Sequence, residues 1–156
     1  METVYLETTF VSYLVAKPSQ DALMAYRQGV SRLWWNTRRN VYHCVGSGIL
    51  LKECSAGDVE EATKRLSIVE TLPLFELTPA SLAIGEAIIY KGLLPATAIT
   101  DAQHIGIAAE KGIKYLVSWN YRHLVNPSIC KRVEQLCESM GFRMPLICTP
   151  ESLMED

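Results

Sequence analysis

Short apolar runs alternate with longer amphipathic segments along the chain, and this alternation constrains the fold more than any other feature. The apolar runs have the length of buried strands, and the segments between them have the spacing of helices. A helix between two strands acts as a crossover connection, which makes the strands parallel. The pattern therefore predicts an α/β fold with a largely parallel sheet.

Five strands and seven helical segments are predicted. The strands are 4–6, 41–45, 74–77, 115–118 and 146–148. The helical segments are 10–14, 20–37, 47–54, 59–69, 80–91, 95–110 and 127–140. Gly46 is expected to break the second strand, and Ser47 is expected to cap the helix that follows it. In the longest helix, the predicted apolar side consists of Leu23, Ala25, Tyr26, Val30, Leu33 and Trp34.

Length and composition fit one globular domain over residues 1–156. Hydrophobic residues make up 49% of the chain and charged residues 21%, the balance of an ordinary globular protein. The formal net charge is −2, which argues against a broad basic surface for duplex nucleic acid. A narrow site for a few nucleotides around a metal ion remains compatible with this charge.

Membrane insertion and a disulfide framework are not expected. No apolar run is long enough to span a bilayer, and no signal-peptide pattern opens the sequence. The five cysteines are odd in number and contain no C-x-x-C spacing. These features predict a cytoplasmic protein with reduced, mostly buried thiols.

Polar residues follow two of the predicted strands, where an open α/β sheet binds its ligands. Glu7, with Thr8 and Thr9 beyond it, follows the first strand, and Asn120 lies just beyond the fourth. Two more acids, Glu53 and Asp101, lie within apolar helical segments.

A carboxylate in apolar surroundings is costly unless it is paired or binds a cation. No Lys or Arg lies one helical turn from Asp101, which leaves a cross-chain salt bridge, a hydrogen-bonded cap or a metal ion. Clustered carboxylates suit hard cations such as Mg²⁺ and Mn²⁺, which support phosphodiester cleavage through an activated water.

Four motifs together resemble the PIN-domain family and, within it, the VapC-type toxins of toxin–antitoxin pairs. Residues 4–14 are similar to the family's first strand, where an acid precedes Thr and a further hydroxyl residue. Residues 51–53 match the second acid, 100–108 resemble the helix that carries the third, and 115–124 resemble the strand-four motif. The motifs agree in order and spacing over nearly the whole chain.

The resemblance implies a three-layer α/β/α PIN-like fold with a central, mostly parallel five-stranded sheet. It implies an Mg²⁺- or Mn²⁺-dependent ribonuclease that acts on RNA, forms a homodimer and is held inactive by a cognate antitoxin. By position, Glu7, Glu53 and Asp101 would hold the metal, Asn120 would complete the catalytic site, and the Thr9 hydroxyl would help to hold water or a ligand. The family usually has Asp where this chain has Glu7, and Asn120 leaves the site with three formal negative charges, so weaker metal affinity is expected.

Each candidate residue also has a structural interpretation. Glu7 suits an N-cap, Glu53 a solvated helix position, and Asn120 a turn. His104 shares a helix face with Asp101, so it is either a general acid or base or a hydrogen-bonded core histidine.

A second surface, formed by Trp35, Arg38 and Arg39, has the composition of a stacking and charged surface for single-stranded RNA. Arg122, in the strand-four motif, is a further candidate for contact with RNA or a partner. The alternative is that one residue of the Trp34–Trp35 pair is in the core and the other faces a protein partner.

The leading hypothesis is a metal-dependent endoribonuclease. The departures at Glu7 and Asn120 motivate a rival hypothesis, a catalytically inactive PIN-like module that binds RNA or a protein. A nuclease that acts on DNA is a third hypothesis.

Overall fold

The computed structural model describes residues 1–155, which form a five-stranded sheet with helices on both faces. The strands are β1 (Thr3–Leu6), β2 (His43–Ser47), β3 (Leu74–Phe75), β4 (Tyr115–Val117) and β5 (Leu146–Cys148). Their order across the sheet is β3-β2-β1-β4-β5, and every neighbouring pair is parallel. The predicted α/β class and five-stranded sheet are confirmed, and the sheet is parallel throughout.

Helices fill the connections between the strands. They are α1 (Thr8–Val15), α2 (Ala22–Arg38), α3 (Gly48–Cys54), α4 (Val59–Val69), α5 (Pro79–Tyr90), α6 (Ile99–Glu110) and α7 (Pro127–Ser139). Short 3₁₀ helices occur at Ala96–Ala98 and Pro150–Leu153. None of the helices in residues 1–155 is both long enough and apolar enough to cross a membrane.

The two faces of the sheet bury different side chains because successive strand residues point in opposite directions. Val4 and Leu6 of β1 pack with Val117 in a cluster that includes residues of α1 to α4. Tyr5 and Leu116 point to the other face and pack against residues of α6. Helices α5, α6 and α7 share a further apolar cluster on that side. The three-layer α/β/α arrangement is therefore confirmed.

The second strand lies two residues later than predicted and contains Gly46. The Gly46 N–H donates to the Pro73 carbonyl at 2.9 Å, so this glycine does not break the strand. A Cβ at this position would lie 2.6 Å from Leu50 Cδ2 and 3.1 Å from Leu74 Cδ2. The glycine provides room for packing between neighbouring side chains, which a local pattern does not reveal. Ser47 caps α3 as predicted, because its hydroxyl accepts from the Leu50 N–H.

Helix α2 is rotated relative to the predicted apolar side. Leu23, Tyr26 and Leu33 are each more than half exposed, whereas Trp34 and Trp35 are buried. The indole N–H of Trp34 donates to the Leu153 carbonyl at 3.2 Å. The tryptophan pair therefore faces the core, and the smaller apolar residues lie on the outer side.

Two further boundaries differ from the predictions. The third strand ends at Phe75, so Leu77 lies outside it. The helix predicted from Pro95 begins instead with one 3₁₀ turn, and α6 starts at Ile99.

No disulfide occurs within residues 1–155, which include all five cysteines. Cys54, Cys137 and Cys148 are buried and the other two are partly buried. Burial raises the pKa of the Cys54 thiol to about 12, which keeps it protonated near neutral pH.

Close packing between α5 and α6 fixes the position of the helix that carries Asp101 and His104. A Cβ at Gly106 would lie 2.4 Å from the Ser81 carbonyl oxygen and 3.4 Å from the Gly85 nitrogen. Both atoms are backbone, so a side chain at this position can be accommodated only if the two helices move apart.

We expect Gly106→Ala to lower the free energy of unfolding by about 1–3 kcal/mol or more because it overpacks this contact. Urea unfolding measures the change. The matched control is Gly29→Ala on α2, where a Cβ would have no neighbour within 4 Å. That substitution should stabilise the protein by about 0.5–1 kcal/mol through helix propensity. Equal effects at the two positions would contradict the packing constraint.

Candidate active site

The site lies where the strand order reverses, between β1 and β4. From β1 the chain proceeds to β2 and β3 on one side, then to β4 and β5 on the other. Open parallel sheets bind ligands at such a switch point, beyond the carboxyl ends of the strands. Glu7 directly follows β1 and Ser118 directly follows β4, and the Glu7 N–H donates to the Val117 carbonyl at 3.0 Å.

The Glu7 carboxylate is almost fully buried, with 2% of the residue exposed. Its Oε1 accepts from the Thr9 hydroxyl at 2.7 Å and from the Ser118 hydroxyl, and its Oε2 accepts from the Thr9 N–H at 2.9 Å. The last bond makes Glu7 the N-cap of α1. Burial raises the pKa of Glu7 although the neighbouring His104 and the hydrogen bonds oppose the shift.

Glu53 extends from α3 toward the same place and is partly exposed. Its Oε1 accepts from the Thr8 hydroxyl at 2.5 Å and lies 2.6 Å from His104 Nε2. Burial opposes its charge, but the hydrogen bond and charge of His104, together with the Thr8 hydroxyl, outweigh this effect and lower the pKa of Glu53. The two carboxylates therefore lie in different electrostatic environments.

A buried hydrogen-bond chain holds His104 in place. The Tyr5 hydroxyl lies 2.5 Å from His104 Nδ1 and 2.6 Å from the Ser47 hydroxyl. Burial raises the pKa of the Tyr5 hydroxyl, so it stays protonated. The His104 Nε2–H donates to the Glu53 carboxylate, while Nδ1 pairs with the Tyr5 hydroxyl. The chain thereby fixes the orientation of both His104 and Glu53.

Asp101, on the first turn of α6, has a separate set of partners. Its Oδ2 lies 2.9 Å from His123 Nδ1 and accepts from Asn120 Nδ2 at 3.3 Å. The other amide atom of Asn120, Oδ1, accepts from the His123 N–H at 3.0 Å. In this arrangement Asn120 orients Asp101 and bridges the loop after β4.

Within residues 1–155, the group that could hold a metal ion consists of Glu7, Glu53 and His104, whose ligand atoms lie within 4.8 Å of one another. Asp101, expected as the third metal ligand, is outside this group. It is nevertheless one turn before His104 on α6, and His104 contacts Glu53. The structure thus brings two of the three predicted carboxylates together, and the third lies one turn along α6 from the histidine that contacts Glu53.

The carboxylate pair fits a hard divalent cation better than it fits an internal ion pair. Thr9 and Ser118 supply only neutral donors to Glu7, and no Lys or Arg in residues 1–155 forms an ion pair with Glu7 or Glu53. Two neighbouring carboxylates whose basic neighbour is a histidine, with no Lys or Arg paired to either in residues 1–155, favour a cation with oxygen ligands. Both ring nitrogens of His104 already have partners, so His104 fits the role of orienting Glu53 better than that of a ligand.

Sequence reasoning did not single out Ser118, Thr8 or Tyr5 as site residues. Ser118 and Thr8 donate to the two carboxylates, and Tyr5 acts through His104. One signal was available for Ser118, because a serine at the end of β4 occupies the same edge as Glu7. The role of Tyr5 depends on a contact 99 positions away in the sequence, which no local pattern contains.

The predicted RNA surface around Trp35 lies far from the carboxylates. Trp35 is 7% exposed, and the Arg39 guanidinium carbon lies 5.0 Å from the centre of its ring. Arg38 and Arg39 end α2 just before β2 begins, so they lie at the amino edge of the sheet, opposite Glu7. Trp35 is therefore largely covered but lines a hollow with Arg39 at this edge, and its contact with RNA stays a prediction. Arg122 is exposed in the loop beyond Asn120.

A parallel sheet in this order, with acidic residues at the switch point, is a doubly wound α/β arrangement. No protein-family model matches the sequence, and no curated protein matches it significantly. Among solved structures, the fold is similar to that of Mycobacterium tuberculosis VapC20, a toxin that cleaves the sarcin–ricin loop. The TM-score is 0.59 at 15% identity, over 89% of this chain and 95% of that chain.

A second similar structure is VapBC2 from Rickettsia felis, bound to a DNA fragment from its promoter. Here the TM-score is 0.55 at 14% identity, over 94% of this chain and 98% of that chain. The chain therefore has the fold of VapC-type PIN-domain toxins.

We expect Tyr5→Phe to lower the free energy of unfolding by about 1–3 kcal/mol because it removes the buried partner of His104 Nδ1 and one of the two hydrogen bonds of the Ser47 hydroxyl. Urea unfolding measures the effect. The control is Tyr42→Phe, since Tyr42 packs on Trp34 but its hydroxyl forms no hydrogen bond within residues 1–155. A loss no larger than that of the control would contradict the buried chain.

The raised pKa of Glu7 predicts a pH-dependent stability difference in EDTA. Because the folded-state pKa exceeds the unfolded value of about 4.3, the contribution of Glu7 is fully present below that value. It is lost as the pH rises through the raised folded pKa. The Glu7→Gln variant has no carboxyl group at this position and does not lose stability in this way. The free energy of unfolding of the variant, minus that of the wild type, should therefore increase with pH.

Urea unfolding at a series of pH values measures this difference. Glu86→Gln serves as the control, because it removes an exposed carboxylate from α5 and leaves Glu7 unchanged. A difference for Glu7→Gln that stays constant with pH would show that burying this charge costs nothing.

Proposed function

We propose that this chain is a metal-dependent endoribonuclease and the toxin of a toxin–antitoxin pair. One observation carries the proposal: the buried Glu7 carboxylate lies beside Glu53 at the switch point, and neither has a Lys or Arg partner. The structural similarity to VapC20, a toxin that cleaves an RNA loop, supports the choice of substrate.

Glu7 and Glu53 would hold the ion, with Asp101 as the third carboxylate. When bound, Mg²⁺ or Mn²⁺ stabilises charge on a phosphoryl group and lowers the pKa of an attacking water. The hydroxyls of Thr9 and Ser118 keep Glu7 in one orientation, and His104 and Thr8 do the same for Glu53.

Asp101 and Glu53 are the groups able to accept a proton from the attacking water. Both are partly exposed and therefore reachable by substrate, unlike Glu7. Asn120 and His123 hold Asp101 from the side of the β4 loop. Catalysis by such a site depends mainly on positioning and electrostatic stabilisation.

An exposed apolar stripe on α2 supports the proposal that the chain binds a protein partner. Leu23, Tyr26 and Leu33 are 56%, 52% and 53% exposed and follow one another at helical spacing with Val30 between them. Exposed apolar surface of this kind is typical of protein interfaces. Together with the similarity to VapBC2, it supports a cognate antitoxin, and the homodimer remains a prediction.

A module that binds RNA or protein without cleaving it is the second candidate. It is favoured by the N-cap role of Glu7 and by the separation of Asp101 from the other two carboxylates. Calorimetric titration with Mn²⁺ discriminates between the candidates. The absence of binding at millimolar metal would favour the module.

The proposed nuclease should cleave single-stranded RNA only when Mg²⁺ or Mn²⁺ is present. Glu53→Gln and Asp101→Asn should each lower the cleavage rate at least ~100-fold, because removal of one group that stabilises the transition state commonly has an effect of this size. A gel assay on labelled RNA, with and without EDTA, measures this. The matched control is Glu86→Gln, which should keep the wild-type rate. Cleavage in EDTA, or at equal rates by the variants, would contradict the proposal, and a parallel assay on single-stranded DNA tests the DNA-directed alternative.

A further inference from the structure

Arg27 lies among three aromatic rings beside the carboxylates. Its guanidinium carbon is 6.0 Å from the ring centre of Tyr13, 5.7 Å from that of Trp119 and 5.1 Å from that of Tyr121. Trp119 is buried and anchored by its indole N–H, which donates to Ser31 Oγ at 2.8 Å. Tyr121 is 45% exposed, so one large aromatic ring of this cluster is open to a ligand.

The aromatic cluster is continuous with the site. The Trp119 N–H donates to the Thr9 hydroxyl at 2.8 Å, and the same hydroxyl donates to Glu7. On the other side, Tyr121 follows Asn120, which donates to Asp101. Tyr121 is therefore close in sequence to Asn120, which contacts Asp101, and to Trp119, which is linked to Glu7 through Thr9.

A hollow of about 330 Å³ lies between α1 and α2 next to the site, and Tyr13 is the member of the aromatic cluster that lines it. It is lined by Thr8, Thr9, Ser12, Tyr13 and Met24, among others. Thr8 and Thr9 at one end contact Glu53 and Glu7, and Tyr13 at the other contacts Arg27. Its volume is within the range of about 300–1,000 Å³ found for small-ligand sites.

The residues that line the hollow are neutral, but the charge of Arg27 favours a nucleotide over an apolar peptide at the adjoining Tyr121. Arg27 donates to the Tyr13 hydroxyl at 3.4 Å and forms no ion pair with any carboxylate of residues 1–155. A guanidinium without an acidic partner, beside an exposed aromatic ring, can contact a phosphate and a stacked base together. The acidic site next to Arg27 would repel the phosphates of RNA. The positive charge of the Arg27 guanidinium would offset this repulsion.

We propose that Tyr121, Tyr13 and Arg27, with the hollow between α1 and α2, form a subsite for one nucleotide of single-stranded RNA next to the bond that is cleaved. The inference rests on the proposed function, which it deepens by locating a substrate contact. The base stacks on Tyr121, and Arg27 contacts the phosphate.

The test measures the binding of a fluorescein-labelled single-stranded RNA hexamer by anisotropy in EDTA, where cleavage does not interfere. Tyr121→Ala should raise Kd about 5- to 100-fold, as expected for the loss of one base stack, whereas Tyr121→Phe should bind as the wild type does. Arg27→Gln should weaken binding and reduce the slope of log Kd against log salt by about 0.7, the value for one contact to a single-strand phosphate. The matched control is Arg39→Gln, which removes a guanidinium stacked on Trp35 at the opposite edge of the sheet.

An abasic scan of the hexamer identifies the stacked base. One abasic position should weaken binding to the wild type but cause no further loss with Tyr121→Ala. An unchanged Kd for Tyr121→Ala, a loss equal to that of Arg39→Gln, or no binding by the wild type would overturn the subsite, and the surface would then fit a protein partner. Cleavage is measured separately with metal, so failure of the nuclease proposal and failure of the subsite give different results.

Discussion

The burial of the Glu7 carboxylate is the constraint on which the rest of the site depends. A charge placed at the end of a central strand is costly unless neighbouring groups compensate for it. The chain provides hydroxyls from α1 and from the end of β4, so the carboxylate links the two strands at which the sheet order reverses. Thr8, the residue after Glu7, donates to Glu53, so the same turn of chain contacts both carboxylates.

Parts of the structure that depend on local chemistry could be predicted from the sequence. Apolar runs located the five strands, and Ser47 was correctly expected to cap α3. Gly46 was misinterpreted because its role is to leave space for Leu50 and Leu74, which become neighbours only in the folded chain. The face of α2 was wrong for the same reason, since tertiary packing of the tryptophans overrides the periodicity of the smaller residues.

The candidate site was predictable to a similar extent. Strand-end position and apolar surroundings were enough to identify Glu7, Glu53 and Asp101 as unusual acids. They could not reveal that Asp101 has its own partners, His123 and Asn120, because those contacts depend on the path of the loop after β4. The surface of Trp35, Arg38 and Arg39 stays a prediction. The sequence did not indicate that Arg27 lies among aromatic rings, because those rings come from other parts of the chain.

The buried Glu7 also has a consequence for protein engineering. Natural proteins commonly trade some stability for function at strained or charged sites. A library of variants selected only for heat resistance would be expected to accumulate neutral replacements of Glu7 early, because each one removes from the interior a charge that its hydrogen bonds compensate only in part. Thermostable descendants of this chain would then keep the fold and lose the site, so selection for robustness needs a parallel selection that retains the buried carboxylate.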